Sequence, residues 1–270
     1  YTSLQVDTGG SEEDDVADVA GGEVPEPTLL GRVPIVACTL HSQVAIVAAA
    51  VAERAPGMRV AYVMTDGAAL PLALSDSVAE LQAKGLVHVT VTAANAFGGE
   101  LEAVSLPSAL DVAVHRGGAG VVVVAMGPGV VGTGSALGTT AVEVAWVVDV
   151  ASRLGADPIV AVRASTTDGR SRHRGLSHHT RTALALCHAR ATVPLPPGPE
   201  ADVLRTALAD TAHDVVEVDP GDVGGMLGRH GLRVTTMGRG PVDDPLFFRA
   251  TAAAGCLAGD RALHAGTVHT

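Results

Sequence analysis

The chain has 270 residues, 47% of them hydrophobic and 17% charged, which excludes a disordered chain and leaves room for one large domain with a full core. Aromatics are only 2%, so the core must be built from Ala, Val, Leu and Gly, a composition that suits helices packed closely on a parallel sheet. The net charge is −11, but residues 12–26 hold seven acids and no cation, and without them the balance is −4; the body lacks the basic excess of a nucleic-acid surface.

No run of about 18 apolar residues occurs, so no membrane span is expected. All eighteen cations are arginine except Lys84, a bias that makes a single Arg weak support for phosphate binding. Cys38, Cys187 and Cys256 are far apart, make no metal spacing, and read as buried small side chains of a reduced, cytoplasmic protein. No signal peptide is recognisable. The chain begins at Tyr1 rather than Met, as expected of a fragment, a processed product or an edited chain.

In chain order, residues 1–31 form an N-terminal tail whose stretch 9–27 is an acidic, dispensable loop by composition. Residues 32–193 form the main α/β domain, and 194–270 its C-terminal α/β extension. The spacing predicts strand Val33–Cys38 and helix Ser42–Arg54. Next come strand Val60–Met64, helix Leu74–Lys84, strand Leu86–Val91 and helix Val104–Arg116. Val121–Ala125 is the purest strand signal, followed by helix Thr140–Leu154, strand Ile159–Val162 and helix Ser177–Arg190. Pro194–Pro199 reads as a linker. Beyond it helix Ala201–Leu208, strand Val215–Val218, helix Val223–His230, strand Leu232–Val234 and helix Pro245–Leu257 are expected. Short strands alternating with helices imply a three-layer α/β fold. Its sheet is mainly parallel with helices on both faces, doubly wound in the Rossmann-like manner.

In such a sheet ligands bind beyond the carboxyl ends of the strands. The polar residues segregate there: His41 after the first strand, Asp66 after the second, Gly127–Ser135 after the fourth, the loop to His179 after the fifth, and Thr235–Gly240 after the last. Gly127, Gly129, Gly132 and Gly134 with Thr133 suit a backbone that approaches an anion ahead of a helix. A purely structural turn is the plainer alternative. A nicotinamide site is the third, for Gly127-Pro-Gly129-Val-Val-Gly132 fits G-x-G-x-x-G, but Asp149 falls within a helix where a ribose-binding acid should end a strand.

The loop Asp168–His179 packs Arg170, Arg172 and Arg174 with His173, His178 and His179. It reads as a phosphate or carboxylate site, with a solvated basic loop as the bland alternative. No metal is expected, although His173 with His178 or His41 could in principle supply ligands. His41, Asp66, His178 and His179 are the candidates for proton transfer. Arg170, Arg172, Arg174 and Arg239 are the candidates for holding the anion. No G-x-S-x-G occurs, which argues against a standard serine hydrolase.

Several motifs together resemble a bacterial family known only as domain of unknown function number 3866. They are Tyr1–Gln5, Leu40-His-Ser-Gln43, Ala61–Gly67, Phe97–Ala103, Met126-Gly-Pro-Gly129 with Gly132-Thr-Gly134, Arg172–His179 and Thr236–Gly240. The resemblance spans nearly the whole chain apart from the acidic stretch. It implies a cytoplasmic bacterial protein with a further N-terminal segment, and no activity. The residues themselves point to an enzyme of hydrolase or transferase class acting on a small anionic molecule, cofactor unknown. Nucleic acid and membrane are not expected partners, and a homo-oligomer is open. The alternatives are a non-catalytic ligand-binding or regulatory protein, or a subunit of a larger assembly.

Overall fold

A computed structural model of the chain describes residues 27–68 and 70–266. Most of the acidic stretch 9–27 therefore lies outside the described residues. Among the described residues there are ten strands: β1 Pro34–Cys38, β2 Val60–Thr65, β3 Val89–Ala93, β4 Leu101–Ala103, β5 Val121–Met126, β6 Asp157–Ala161, β7 Ala164–Ser165, β8 Gly175–Leu176, β9 Thr192–Leu195 and β10 Asp214–Glu217. Eight helices accompany them: α1 Gln43–Arg54, α2 Asp76–Ala83, α3 Leu106–Asp111, α4 Glu143–Arg153, α5 His178–Leu186, α6 Pro199–Ala207, α7 Val223–Arg229 and α8 Pro245–Gly266. Eight strands form one parallel sheet in the order β10-β9-β6-β1-β5-β2-β3-β4, while β7 and β8 make a small antiparallel pair beside it.

The three layers follow from strand periodicity. Successive residues of a strand point to opposite faces. In β5, Val122 and Val124 join the core under α3, α4, α5 and α6, while Val121, Val123 and Ala125 join the core under α1, α2, α7 and α8. Both faces are apolar, so the inner strands read as continuous hydrophobic runs.

Small residues let helices lie close. At Gly255 of α8 an added Cβ would stand 2.5 Å from the Val47 carbonyl and 2.7 Å from Ala50 of α1. The Ala and Gly content noted in the sequence is thus spent on backbone-to-backbone approach.

Where structure and sequence expectation differ, the causes are local. The strand β9, Thr192–Leu195, runs into the start of the stretch Pro194–Pro199 that was expected as a linker. Pro194 is tolerated because the ladder from β6 ends at Thr192 and only β10 pairs with it further on. The strand β4 was not expected; it is a three-residue edge strand on β3. Residues 232–234 are irregular rather than a strand and lie over the cleft described below. Helix α5 stops at Leu186, short of the expected Arg190, because the Asp149 carboxylate takes the N–H groups of His188 and Ala189 at 2.9 and 2.8 Å. Helix α8 outruns its expected end by two turns, to Gly266.

Candidate functional site

From β1 the chain crosses to α1 on one face, and from the adjacent β5 it crosses to α4 on the other. Neighbouring strands whose connections diverge leave a crevice at their carboxyl ends. A cleft of about 660 Å³ opens there. Its lining includes His41, Gly129 and Gly132, then Arg163, Arg170 and Arg172, with His173 and His179.

The β1–α1 turn is held by Gln43, whose side chain is fully buried. Its Oε1 accepts from the N–H groups of Thr39 (2.9 Å) and Leu40 (3.0 Å), and Nε2 donates to the carbonyls of Ala161 (3.1 Å) and Val162 (3.2 Å) at the end of β6. One carboxamide thereby fixes the His41 turn against the strand that carries Arg163.

His41 is half-buried. Its Nδ1 lies 3.2 Å from the Met126 carbonyl and 3.1 Å from the Tyr62 hydroxyl, and its Nε2 lies 2.7 Å from Ser75 Oγ. A carbonyl only accepts, so the proton sits on Nδ1 and Nε2 accepts from the Ser75 hydroxyl. Ser75 in turn caps α2, accepting from the Val78 N–H at 3.2 Å. Burial lowers the His41 pKa, against the pull of the Met126 carbonyl, so the ring is neutral at pH 7.

Arg163, buried two residues beyond the end of β6, organises the opposite wall. Its Nη1 donates to His179 Nδ1 at 3.2 Å. Guanidinium nitrogens cannot accept, so the His179 proton is on Nε2. Ser177 caps α5 by accepting from the His179 N–H, and its hydroxyl lies 2.7 Å from His173 Nδ1. A hydroxyl can accept twice and donate once, so this contact holds the His173 ring in place whichever of its nitrogens carries the proton. Burial first, then the charge of Arg163, pushes the pKa of His173 down to about 4 and that of His179 to about 3. Both rings are therefore neutral N–H donors. The pKa of Arg163 itself falls to about 10, through burial and then the neighbouring Arg170.

Behind this wall Asp168, 2% exposed, ties the arginines together. Arg170 forks onto it with both bonds at 3.0 Å, Arg239 reaches it at 3.4 Å, and Arg163 stands 3.7 Å away. Burial opposes its ionisation, but the hydrogen bonds from Arg170 outweigh that and hold its carboxyl well below the usual range. Arg239 also bonds Asp244 at 3.1 Å, and Arg174 donates to the Asp168 carbonyl at 2.8 Å.

The candidates named from sequence therefore divide. His41, His179, Gly129, Gly132, Arg170 and Arg172 border the cleft. Arg174 and Arg239 brace the loop from behind. Asp66 lies outside the cleft lining, bonded to Asn95 at 2.9 Å, next to Glu143, whose pKa burial raises to about 7. Gly127 is buried under Met64 and Leu70, and Thr133 and Gly134 belong to an exposed hairpin closed by the Gly132–Thr139 bridge. The start of the helical segment beyond that hairpin is not open to an anion: Thr140 N–H donates to Val131 and Ala141 N–H to the Thr139 hydroxyl.

Gly132 ties the two loops, since a Cβ there would stand 3.2 Å from His179 Nε2. His178 points away from the cleft lining, its Nε2 enclosed without a hydrogen-bond partner among the described residues. Arg163, Ser75 and Gln43 were not named as site residues. A lone Arg at a strand end and a Ser opening a helix were the available signals.

His173, His178 and His179 place ligand nitrogens within 4.8 Å of one another. As a metal site the set is poor. Arg163 occupies Nδ1 of His179, its Nε2 carries a proton, and Arg163, Arg170 and Arg172 would repel a dication. The same features suit an anion.

The fold and the cleft define a doubly wound, three-layer α/β protein with a polar site at its topological switch point. The chain matches, over residues 1–255, the family described as a protein of unknown function (DUF3866), and it belongs to that family. No curated protein and no solved structure matches it. Among the described residues no helix is long and apolar enough to cross a membrane.

Proposed function

We propose that this chain is an enzyme of hydrolase or transferase class that acts on a small molecule carrying a phosphate or carboxylate, bound in the switch-point cleft. The observation that carries the reading is the wall opposite His41. His179, a neutral ring turned into an Nε2–H donor, and the neutral ring of His173 stand beside Arg163, Arg170 and Arg172, and Asp168 is the carboxylate paired with Arg163 and Arg170. Arg172 is exposed and has no carboxylate within ion-pair reach among the described residues, so it is the guanidinium with most to gain from an anion.

Thermal shift with inorganic phosphate, sulfate, citrate and a nucleoside monophosphate tests the reading. A bound anion at a hundredfold excess over Kd should stabilise the wild type by about 2.7 kcal/mol. Arg172→Ala should weaken that binding about tenfold or more, the worth of one charge-assisted hydrogen bond. Equal responses of the wild type and Arg172→Ala, or none, would refute it. A second reading, a non-catalytic ligand sensor, is favoured by one fact: both ring nitrogens of His41 are already satisfied within the chain. Under that reading the anion binds and nothing turns over.

A further inference from the structure

The full occupancy of His41 has a chemical resolution. A histidine with Nδ1–H anchored on a fixed carbonyl and Nε2 accepting from a serine hydroxyl is the arrangement that activates that hydroxyl. We propose that Ser75 is a nucleophile, with His41 as its general base and the Met126 carbonyl as the group that orients the base, and that the substrate is an ester or thioester whose other end carries the anion held across the cleft. The proposal rests on the anion-binding reading for its substrate class.

The geometry supports it in three ways. The Ser75–His41 separation of 2.7 Å is already that of proton transfer. The base cannot rotate away, because the Met126 carbonyl and the Tyr62 hydroxyl flank Nδ1, and the Tyr62 ring, fully buried, meets the imidazole edge-on at 5.8 Å between centroids. Ser75 directly precedes α2, and the next two residues, Asp76 and Ser77, line the cleft together with His41. Their N–H groups, the first two of α2, have no backbone acceptor among the described residues, as at any helix start, and the proposal assigns them to the carbonyl oxygen that gains charge. Ser75 itself is only 5% exposed and adjoins the cleft lining through Asp76 and His41 rather than forming part of it, so substrate and water reach Oγ from the cleft side.

The step balances without an oxidant or a metal. Ser75 Oγ bonds to the acyl carbon as its proton passes to His41 Nε2. The acyl–oxygen or acyl–sulfur bond breaks, and the alcohol or thiol leaves with that proton. Water then attacks the acyl-serine, giving a proton to His41; the Ser75–acyl bond breaks, and His41 returns the proton to Oγ as the carboxylic acid departs. No G-x-S-x-G surrounds Ser75, since the serine opens a helix that follows a 3-10 turn rather than a strand.

The test is covalent labelling of the full chain with a small alkyl fluorophosphonate, read by intact mass and peptide mapping, alongside the phosphate thermal shift. The expected result is one phosphonyl group per chain, on Ser75, with fluoride released. His41→Gln should slow labelling at least about 100-fold, the usual worth of general-base catalysis. Ser75→Asn, which retains a capping side chain for α2, should fold and take no label. Hydrolysis of p-nitrophenyl acetate should show a burst of one p-nitrophenolate per chain that Ser75→Asn abolishes. No label on the wild type, label elsewhere, or equal rates in His41→Gln would overturn the proposal. Phosphate stabilisation without labelling would overturn it too, while leaving the anion-binding reading standing.

Discussion

Replacing Gln43 with Leu should unfasten the cleft from within. The substitution preserves approximate volume and removes both polar ends of a side chain with no solvent exposure. The N–H groups of Thr39 and Leu40 lose the Oε1 they share, and the Ala161 and Val162 carbonyls lose Nε2. A buried donor left without a partner costs about 1–3 kcal/mol. Two such donors, with the carbonyls losing one bond each and the new methyl groups offsetting part of the deficit, give a net loss of about 3–5 kcal/mol. For a chain of this size each kcal/mol is worth about 2–4 °C, so Tm should fall by roughly 10 °C. Urea unfolding followed by circular dichroism would give the free energy directly, with an unchanged m value if the denatured state is unaffected. Phosphate stabilisation should weaken as well, because the carboxamide joins the His41 turn to the strand of Arg163. A Tm within about 3 °C of wild type would refute the idea that Gln43 holds the two halves of the site in register.

Other perturbations follow from the same geometry. His173 and His179 have native pKa values near 4 and 3 against about 6.5 in the unfolded chain, so the unfolded state takes up their protons first. Stability is then full above pH 6.5 and lost as pH falls toward 4, by at most about 2 kcal/mol per histidine at pH 5; equal urea midpoints at pH 7.5 and 5 would contradict this, and His179→Gln should flatten the slope. Gly255→Leu should cost about 3 kcal/mol or more, or abolish folding, because its Cβ meets the Val47 carbonyl, whereas Gly228→Ala, with open space around it in α7, should stabilise by about 0.5–1 kcal/mol. Gly132→Val, at an exposed loop position, should leave Tm nearly unchanged yet displace His179 and remove the phosphate response; an undiminished response would separate the glycine loop from the site.

The architecture was legible because its signal is local and repeated. Val121–Met126 can hardly be anything but an interior strand, and the residues after each strand fell on one edge whatever the exact boundaries. What lay hidden depended on partners distant in sequence. Asp149 looked like any helix acid, yet it ends α5 by capturing N–H groups at positions 188 and 189. Pro194 marked a linker by composition, because nothing local says that only one neighbouring strand continues past Thr192. At the site, Arg170, Arg172 and Arg174 were all candidates for holding an anion. The fold distributes them, Arg170 onto the Asp168 carboxylate, Arg174 onto the Asp168 backbone carbonyl, and Arg172 onto no carboxylate among the described residues. Arg163, alone in the sequence, becomes the central cation because it follows β6 by two residues and reaches His179. Ser75 could not be joined to His41 from spacing, since the sheet order that brings them together inserts β5 between β1 and β2.

The claim on which the cleft's reading turns is that Arg163 forces the His179 proton onto Nε2, making a neutral ring a donor toward a bound anion. Long-range proton–nitrogen correlation spectra of the histidine side chains, recorded at pH 7 with and without inorganic phosphate, measure this directly. The account predicts a neutral Nε2–H tautomer for His179 in the free protein, with its Nε2 resonance shifting on phosphate addition and both features lost in Arg163→Met. An Nδ1–H tautomer, a protonated ring at pH 7, or an Nε2 resonance indifferent to phosphate would contradict it.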